Sequence, residues 1–148
     1  MSLTERFAPG TPVRAAFCTE ANFSHWADPR GAELEIGRIL HPANHNGHHE
    51  QLGGIFHAGN RYYLQVIEGP VESVDWYLRT AESDERHKNM KHLEVKEIEE
   101  SVFKAGRLRF VGKPRELREI QQRTGKNVFD PYDYDGEMIE AFVALAQD

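Results

Sequence analysis

Gln65 stands in Tyr62-Tyr63-Leu64-Gln65-Val66-Ile67-Glu68-Gly69, a run of apolar and aromatic side chains that reads as a buried strand. A buried amide without partners costs about 1–3 kcal/mol, so Gln65 must be paired inside the protein or presented to a ligand. Fifteen residues after Gly69 comes Asp84-Glu85-Arg86-His87. A carboxylate, a guanidinium and an imidazole there either cap and pair a helix end or touch a ligand. A third concentration runs from His41 to Glu50 and holds four of the chain's eight histidines. Neutral imidazoles bind zinc, copper or nickel. Here His41 and His45 straddle Pro42, His45 and His49 straddle Gly47, and His48 and His49 are adjacent. No metal-ligand spacing results, and the run reads as a solvated loop with no assigned metal.

Weaker signals resolve into structural readings. Cys18 is the single cysteine, which excludes an intrachain disulfide and fits a reducing cytoplasm. Gly53-Gly54 lies within a strand rather than before a helix, so it is no phosphate loop. Paired glycines there mark close backbone approach or room for a flat ligand. Asp133, Asp135 and Glu137 alternate without the rest of a calcium loop. No Ser/His/Asp order or paired-carboxylate pattern stands out, and the chain is not read as an enzyme.

The elements that must position these residues follow from periodicity. Residues 13–19 predict a first strand after an arm at 1–11. Leu34, Ile36, Ile39 and Leu40 predict a helix over 32–41, which Pro42 ends. Residues 52–57 and 62–68 flank Ala58-Gly59-Asn60-Arg61 and predict a hairpin. Pro70 suits the first turn of a helix over 71–83, whose mostly apolar face carries Val71, Val74, Trp76, Tyr77 and Ala81. Alternation predicts strands at 92–98 and 107–111, and two tail helices cover 114–123 and 136–147. The order βαββαββ with helices after it predicts an α+β, ferredoxin-like sandwich with helices on one sheet face. Residues 1–112 form the α+β domain, and 113–148 a helical extension packed on it.

Composition narrows the partners. With 148 residues, 39% hydrophobic and 28% charged, the chain has the make-up of one soluble domain. A net charge of -6 without a basic stripe argues against nucleic acid. No apolar run reaches the roughly 20 residues of a membrane span, and no basic-then-apolar leader is visible.

Aromatic-Leu64-Gln65-Val66-apolar-Glu68-Gly69, then a helix, then Asp84-x-Arg86-His87, resembles the BLUF family of bacterial flavin-binding blue-light sensors. The resemblance covers residues 13–110. It implies a flavin, FAD or FMN, held between helices 32–41 and 71–83, with Gln65, Asn46, Asp84, Arg86 and His87 around it. Phe103 matches an aromatic before the last strand. Phe17 stands where that family has its photoactive tyrosine, Gly47 where it has a second asparagine, and Gly106 and Leu108 where it has Trp and Met. The family's Gly-apolar-Thr-Gly becomes Gln51-Leu52-Gly53-Gly54. Phenylalanine has no hydroxyl to donate to Gln65, so the resemblance implies a sensory or regulatory domain with an impaired photocycle. Adjacent strand residues face opposite ways, so Cys18 points away from a flavin beside Phe17, and no flavin–cysteine adduct is expected. Signal transduction to a protein effector, homo-oligomerisation and a cytoplasmic location complete that reading. Its rival is a flavin-free interaction module on the same fold, with Trp26, Tyr62, Tyr63 and Tyr134 as anchors. A third reading is a small redox enzyme on a ferredoxin-like sheet, for which no catalytic residue can be named.

Overall fold

The computed structural model describes residues 2–21, 48–84 and 87–146, with the backbone alone at 48 and 49. One sheet holds β1 (Pro12–Ala21), β2 (Gly53–Gly59), β3 (Tyr62–Pro70), β4 (His87–Glu97) and β5 (Arg107–Phe110). Their order is β4-β1-β3-β2-β5. The first four run antiparallel to their neighbours, and β5 joins the edge parallel to β2. The helices are α1 (Leu3–Arg6), α2 (His48–Gln51), α3 (Val71–Glu82), α4 (Pro114–Gln122) and α5 (Gly136–Leu145). This is the ferredoxin-like α+β plan with a fifth strand added. The helix predicted over 32–41 lies outside the described residues.

The two faces of β1 and β3 are both apolar, which explains one departure from expectation. Val13, Ala15, Phe17 and Ile67 meet Val71, Val74, Tyr77, Leu78 and Ala81 of α3. On the other side, Ala16, Leu64 and Val66 meet Leu117 and Ile120 of α4 and Ile139, Phe142 and Val143 of α5. Strands apolar on both sides need cover on both sides. The described helices therefore flank the sheet, where the sequence predicted one covered face.

Local chemistry accounts for the smaller differences. The hairpin closes with Gly59 opposite Tyr62, and Asn60 (φ 48°) and Arg61 (φ 71°) take the left-handed positions, as a two-residue type I′ turn requires. Asn60 Nδ2 also donates to the Phe129 carbonyl at 3.1 Å. β4 begins at His87, five residues before the predicted start at 92. Its pairing with β1 shifts register between Ala16 and Phe17 and between Cys18 and Glu20, and Asn89 has φ 55°. Bulges interrupt the alternation that reveals a strand. Residues predicted as an arm are pinned to α3: Leu3 is buried, its N–H donates to Asp75 Oδ1 at 3.1 Å, and Gly10 N–H donates to Glu72.

Candidate functional site

β3 is the middle strand of the five, so its side chains on the α3 face are held between β1 and β2. Gln65 lies opposite Phe17 on β1 and opposite Phe56 on β2. It is 1% exposed. Tyr77 reaches down from α3, and its hydroxyl donates a short hydrogen bond to Gln65 Oε1. The Phe17 and Tyr77 rings meet edge-on with centroids 6.0 Å apart. Burial raises the Tyr77 phenol above its ordinary pKa, so it stays protonated and available as a donor. Gln65 Nε2 is buried and has no hydrogen-bond partner among the described residues. One half of the amide is satisfied, and the other is an open donor.

One residue pair along the same face, Thr19 lies opposite Tyr63. Thr19 Oγ1 and His87 Nδ1 are hydrogen-bonded at 3.1 Å, and the His87 and Tyr63 rings meet with centroids 4.6 Å apart. His87 is buried. Its N–H donates to the Asp84 carbonyl at 3.1 Å, while Asp84 N–H donates to Ala81 at 3.2 Å. A turn at the end of α3 thus delivers His87 to the sheet. Beside it opens a cleft of about 190 Å³ whose walls include Thr19, Ala81, His87 and Met90. Of the residues predicted for the site, Phe17 and Gln65 face each other, His87 sits beyond them, and Asp84 shapes the turn. Asn46 and Arg86 lie outside the described residues.

By its spacing alone, Tyr77 belongs to the apolar stripe of the helix. Its signal in the sequence was its hydroxyl, because a buried tyrosine needs a partner just as a buried glutamine does. Other candidates turn out to be structural. A Cβ on Gly53 would sit 2.7 Å from the Lys104 carbonyl, and one on Gly54 would sit 2.6 Å from the Val66 carbonyl. These glycines serve close backbone approach. Cys18 is buried on the side away from Phe17, and burial pushes its thiol up to about 12. Asp135 caps α5 by accepting from Met138 N–H at 2.9 Å, and Asp133 pairs with Lys126 at 3.2 Å. No cluster of three metal-ligating side chains occurs among the described residues. Of the histidine run, residues 41–47 and the side chains of 48 and 49 fall outside the description.

The opposite face carries a second polar group. Glu68 is fully buried and Arg14 is 6% exposed. Arg14 Nε donates to Glu68 Oε2 at 2.7 Å and Arg14 Nη1 to Glu140 Oε1 at 2.5 Å. Ser101 Oγ and Val102 N–H donate to Glu68 Oε1 at 2.8 and 2.7 Å. Lys96 Nζ joins Glu140 at 2.9 Å. This network ties β1 and β3 to α5.

The ferredoxin-like fold has known counterparts. The chain matches the BLUF family, "Sensors of blue-light using FAD", over residues 18–109, and it belongs to that family. No curated protein sequence matches it. Among solved structures, it is similar to BlsA in its ground state, with 19% identity and a TM-score of 0.75 over 93% of this chain and 89% of BlsA. It is similar to BlrB, a BLUF protein in its dark state, with 20% identity and a TM-score of 0.69 over 95% of this chain and 97% of BlrB. A bacterial light-regulated adenylyl cyclase aligns with 20% identity and a TM-score of 0.56 over 77% of this chain and 32% of the cyclase. No described helix is long and apolar enough to cross a membrane.

Proposed function

We propose that this chain is a BLUF sensory or regulatory module that binds a flavin, FAD or FMN, on the α3 face. The observation that carries the reading is Gln65 Nε2, a buried donor with no partner among the described residues. A flavin supplies a ring whose N5 accepts a hydrogen bond when oxidised and donates one when reduced. Gln65 is the residue to hold that edge, with His87 and Asp84 beside it and Asn46 and Arg86 as further ligands. Phe17 offers no hydroxyl across from Gln65, and the conventional photocycle is impaired on this account. The module acts without catalysis of its own and passes its state to a protein effector. Self-association and a cytoplasmic location belong to the same proposal, as does the treatment of 113–148 as an extension of the domain.

A second reading has one observation behind it: the Phe17 and Tyr77 rings fill space beneath α3, as a core that has closed over a lost cofactor does. On this reading the protein is a flavin-free interaction module.

Absorption spectra of the untagged protein, before and after adding FAD or FMN, separate the two. Flavin bands that stay with the protein through gel filtration support the proposal, and a colourless protein in excess flavin overturns it. On a yellow sample, blue light is expected to leave the spectrum of the unaltered protein unchanged. Phe17→Tyr is expected to confer a light-induced red shift by restoring a phenol opposite Gln65. A red shift in the unaltered protein would refute the role given to Phe17.

A further inference from the structure

We infer that Tyr77 is the positioning residue for Gln65, holding its carbonyl from the helix side so that the amide NH₂ is what a ligand meets. The inference rests on the flavin reading above and adds the residue that governs how the site presents itself. Strand register puts phenylalanines on both sides of Gln65, Phe17 on β1 and Phe56 on β2. Neither can hydrogen-bond the amide. The next hydroxyl along β1, Thr19, is engaged with His87. The partner instead comes from α3, where Val74, Tyr77, Leu78 and Ala81 face the sheet, and the Tyr77 hydroxyl donates to Gln65 Oε1.

Two consequences follow from the inventory of donors and acceptors. With Oε1 turned to Tyr77, the open edge of the Gln65 amide carries the N–H donors of Nε2, which suits an acceptor there such as the N5 edge of an oxidised flavin. To meet a donor, the amide must turn over, and Nε2 then faces Tyr77. A hydroxyl donates and accepts, so Tyr77 Oη can satisfy either orientation. A phenylalanine can satisfy neither. Because the phenol belongs to α3 while the amide belongs to β3, turning the amide also changes the bond between helix and sheet. The position is thus suited to reporting ligand state, by a contact with a residue outside the strand that carries Phe17.

The test pairs FAD titrations with a measurement on the flavin-free protein. Tyr77→Phe keeps the ring and removes only the hydroxyl. Titrations monitored by flavin fluorescence are run on the unaltered protein, Tyr77→Phe, Gln65→Leu and the double variant. Tyr77→Phe is expected to weaken FAD binding about tenfold, the worth of one hydrogen bond. The double variant is expected to match Gln65→Leu alone, since Tyr77 acts through Gln65. Equal affinity in Tyr77→Phe and the unaltered protein overturns the inference, as does a loss that adds fully to that of Gln65→Leu. In the flavin-free protein, the side-chain amide NMR signals of Gln65, assigned by their absence in Gln65→Leu, are expected to shift in Tyr77→Phe. If they do not move, Tyr77 does not orient the amide. If the unaltered protein binds no flavin at all, the proposed function fails, and the NMR shift still decides the role of Tyr77.

Discussion

The two faces of the sheet treat their buried polar groups in opposite ways. On the α4/α5 face, Glu68 has its oxygens engaged by Arg14, Ser101 and Val102, and Arg14 reaches on to Glu140 of α5. On the α3 face, Gln65 has one partner, Tyr77, and a donor left over among the described residues. A fully paired network in a low-dielectric setting makes a rigid joint, whereas a half-satisfied amide carries a standing cost. On the proposed function, that cost is what a bound ligand would offset. α5 is therefore bound to the sheet by charge and apolar contact, and the α3 face holds the buried polar group with an open donor.

The sharpest way to break this comparison is at Glu68. Glu68→Ala leaves the Arg14 guanidinium, 6% exposed, without its buried partner, and the cost is expected to be about 3–5 kcal/mol. Urea denaturation followed by circular dichroism measures it. Exchanging Arg14 and Glu68 together for Met and Leu is expected to recover most of the loss, because a paired ion is often matched by apolar packing. A Glu68→Ala protein as stable as the unaltered one would remove the contrast between the faces.

Gln65→Leu probes the other side and is expected to behave differently. It deletes the open donor, a gain, and strands the Tyr77 hydroxyl, a loss. The net change in stability is expected to lie within about 1 kcal/mol, while flavin affinity falls. Both variants go through the same denaturation experiment. A Gln65→Leu protein destabilised as much as Glu68→Ala would show that the amide is structural and that the faces are alike.

How much of this was legible beforehand depended on whether a residue's role is local. The hairpin, α3 and the two tail helices follow from turn chemistry and 3.6-residue spacing, and the ferredoxin-like order follows from those. Gln65 stood out because an amide in an apolar strand is a local anomaly. Tyr77 did not, because a tyrosine in an apolar stripe looks like core until its hydroxyl is matched to a particular acceptor. The Arg14–Glu68 pair was hidden for a related reason. The two residues are 54 apart in sequence, and alternation alone does not say which charged residues of β1 and β3 share a face across the ladder. The first half of β4 is not legible in the sequence because its bulges erase the period that defines a strand. The cover on both faces is implicit in the apolar runs of β1 and β3, because a strand apolar on both sides needs a layer against each.

The smallest expected effect concerns pH, and it sharpens the view of the α4/α5 face as the closed one. His57 on β2 stacks on Phe110 with centroids 5.5 Å apart and meets Phe129 edge-on at 4.8 Å. Its Nδ1 lies 2.6 Å from the Val111 carbonyl, so Nδ1–H donates and the neutral ring carries its proton there. Burial lowers its pKa from the ordinary 6.5, with the Val111 bond opposing. The folded value is thus below the unfolded one. The ring's contribution to stability is complete above the unfolded pKa of about 6.5. It is lost as pH falls, because the unfolded chain takes up the proton first. Melting temperatures are therefore expected to drop between neutral and mildly acidic pH, and His57→Gln, which cannot titrate, is expected to flatten that part of the profile. Parallel profiles for the two proteins would mean that His57 keeps its ordinary affinity for protons, and that this edge of the face is open to water.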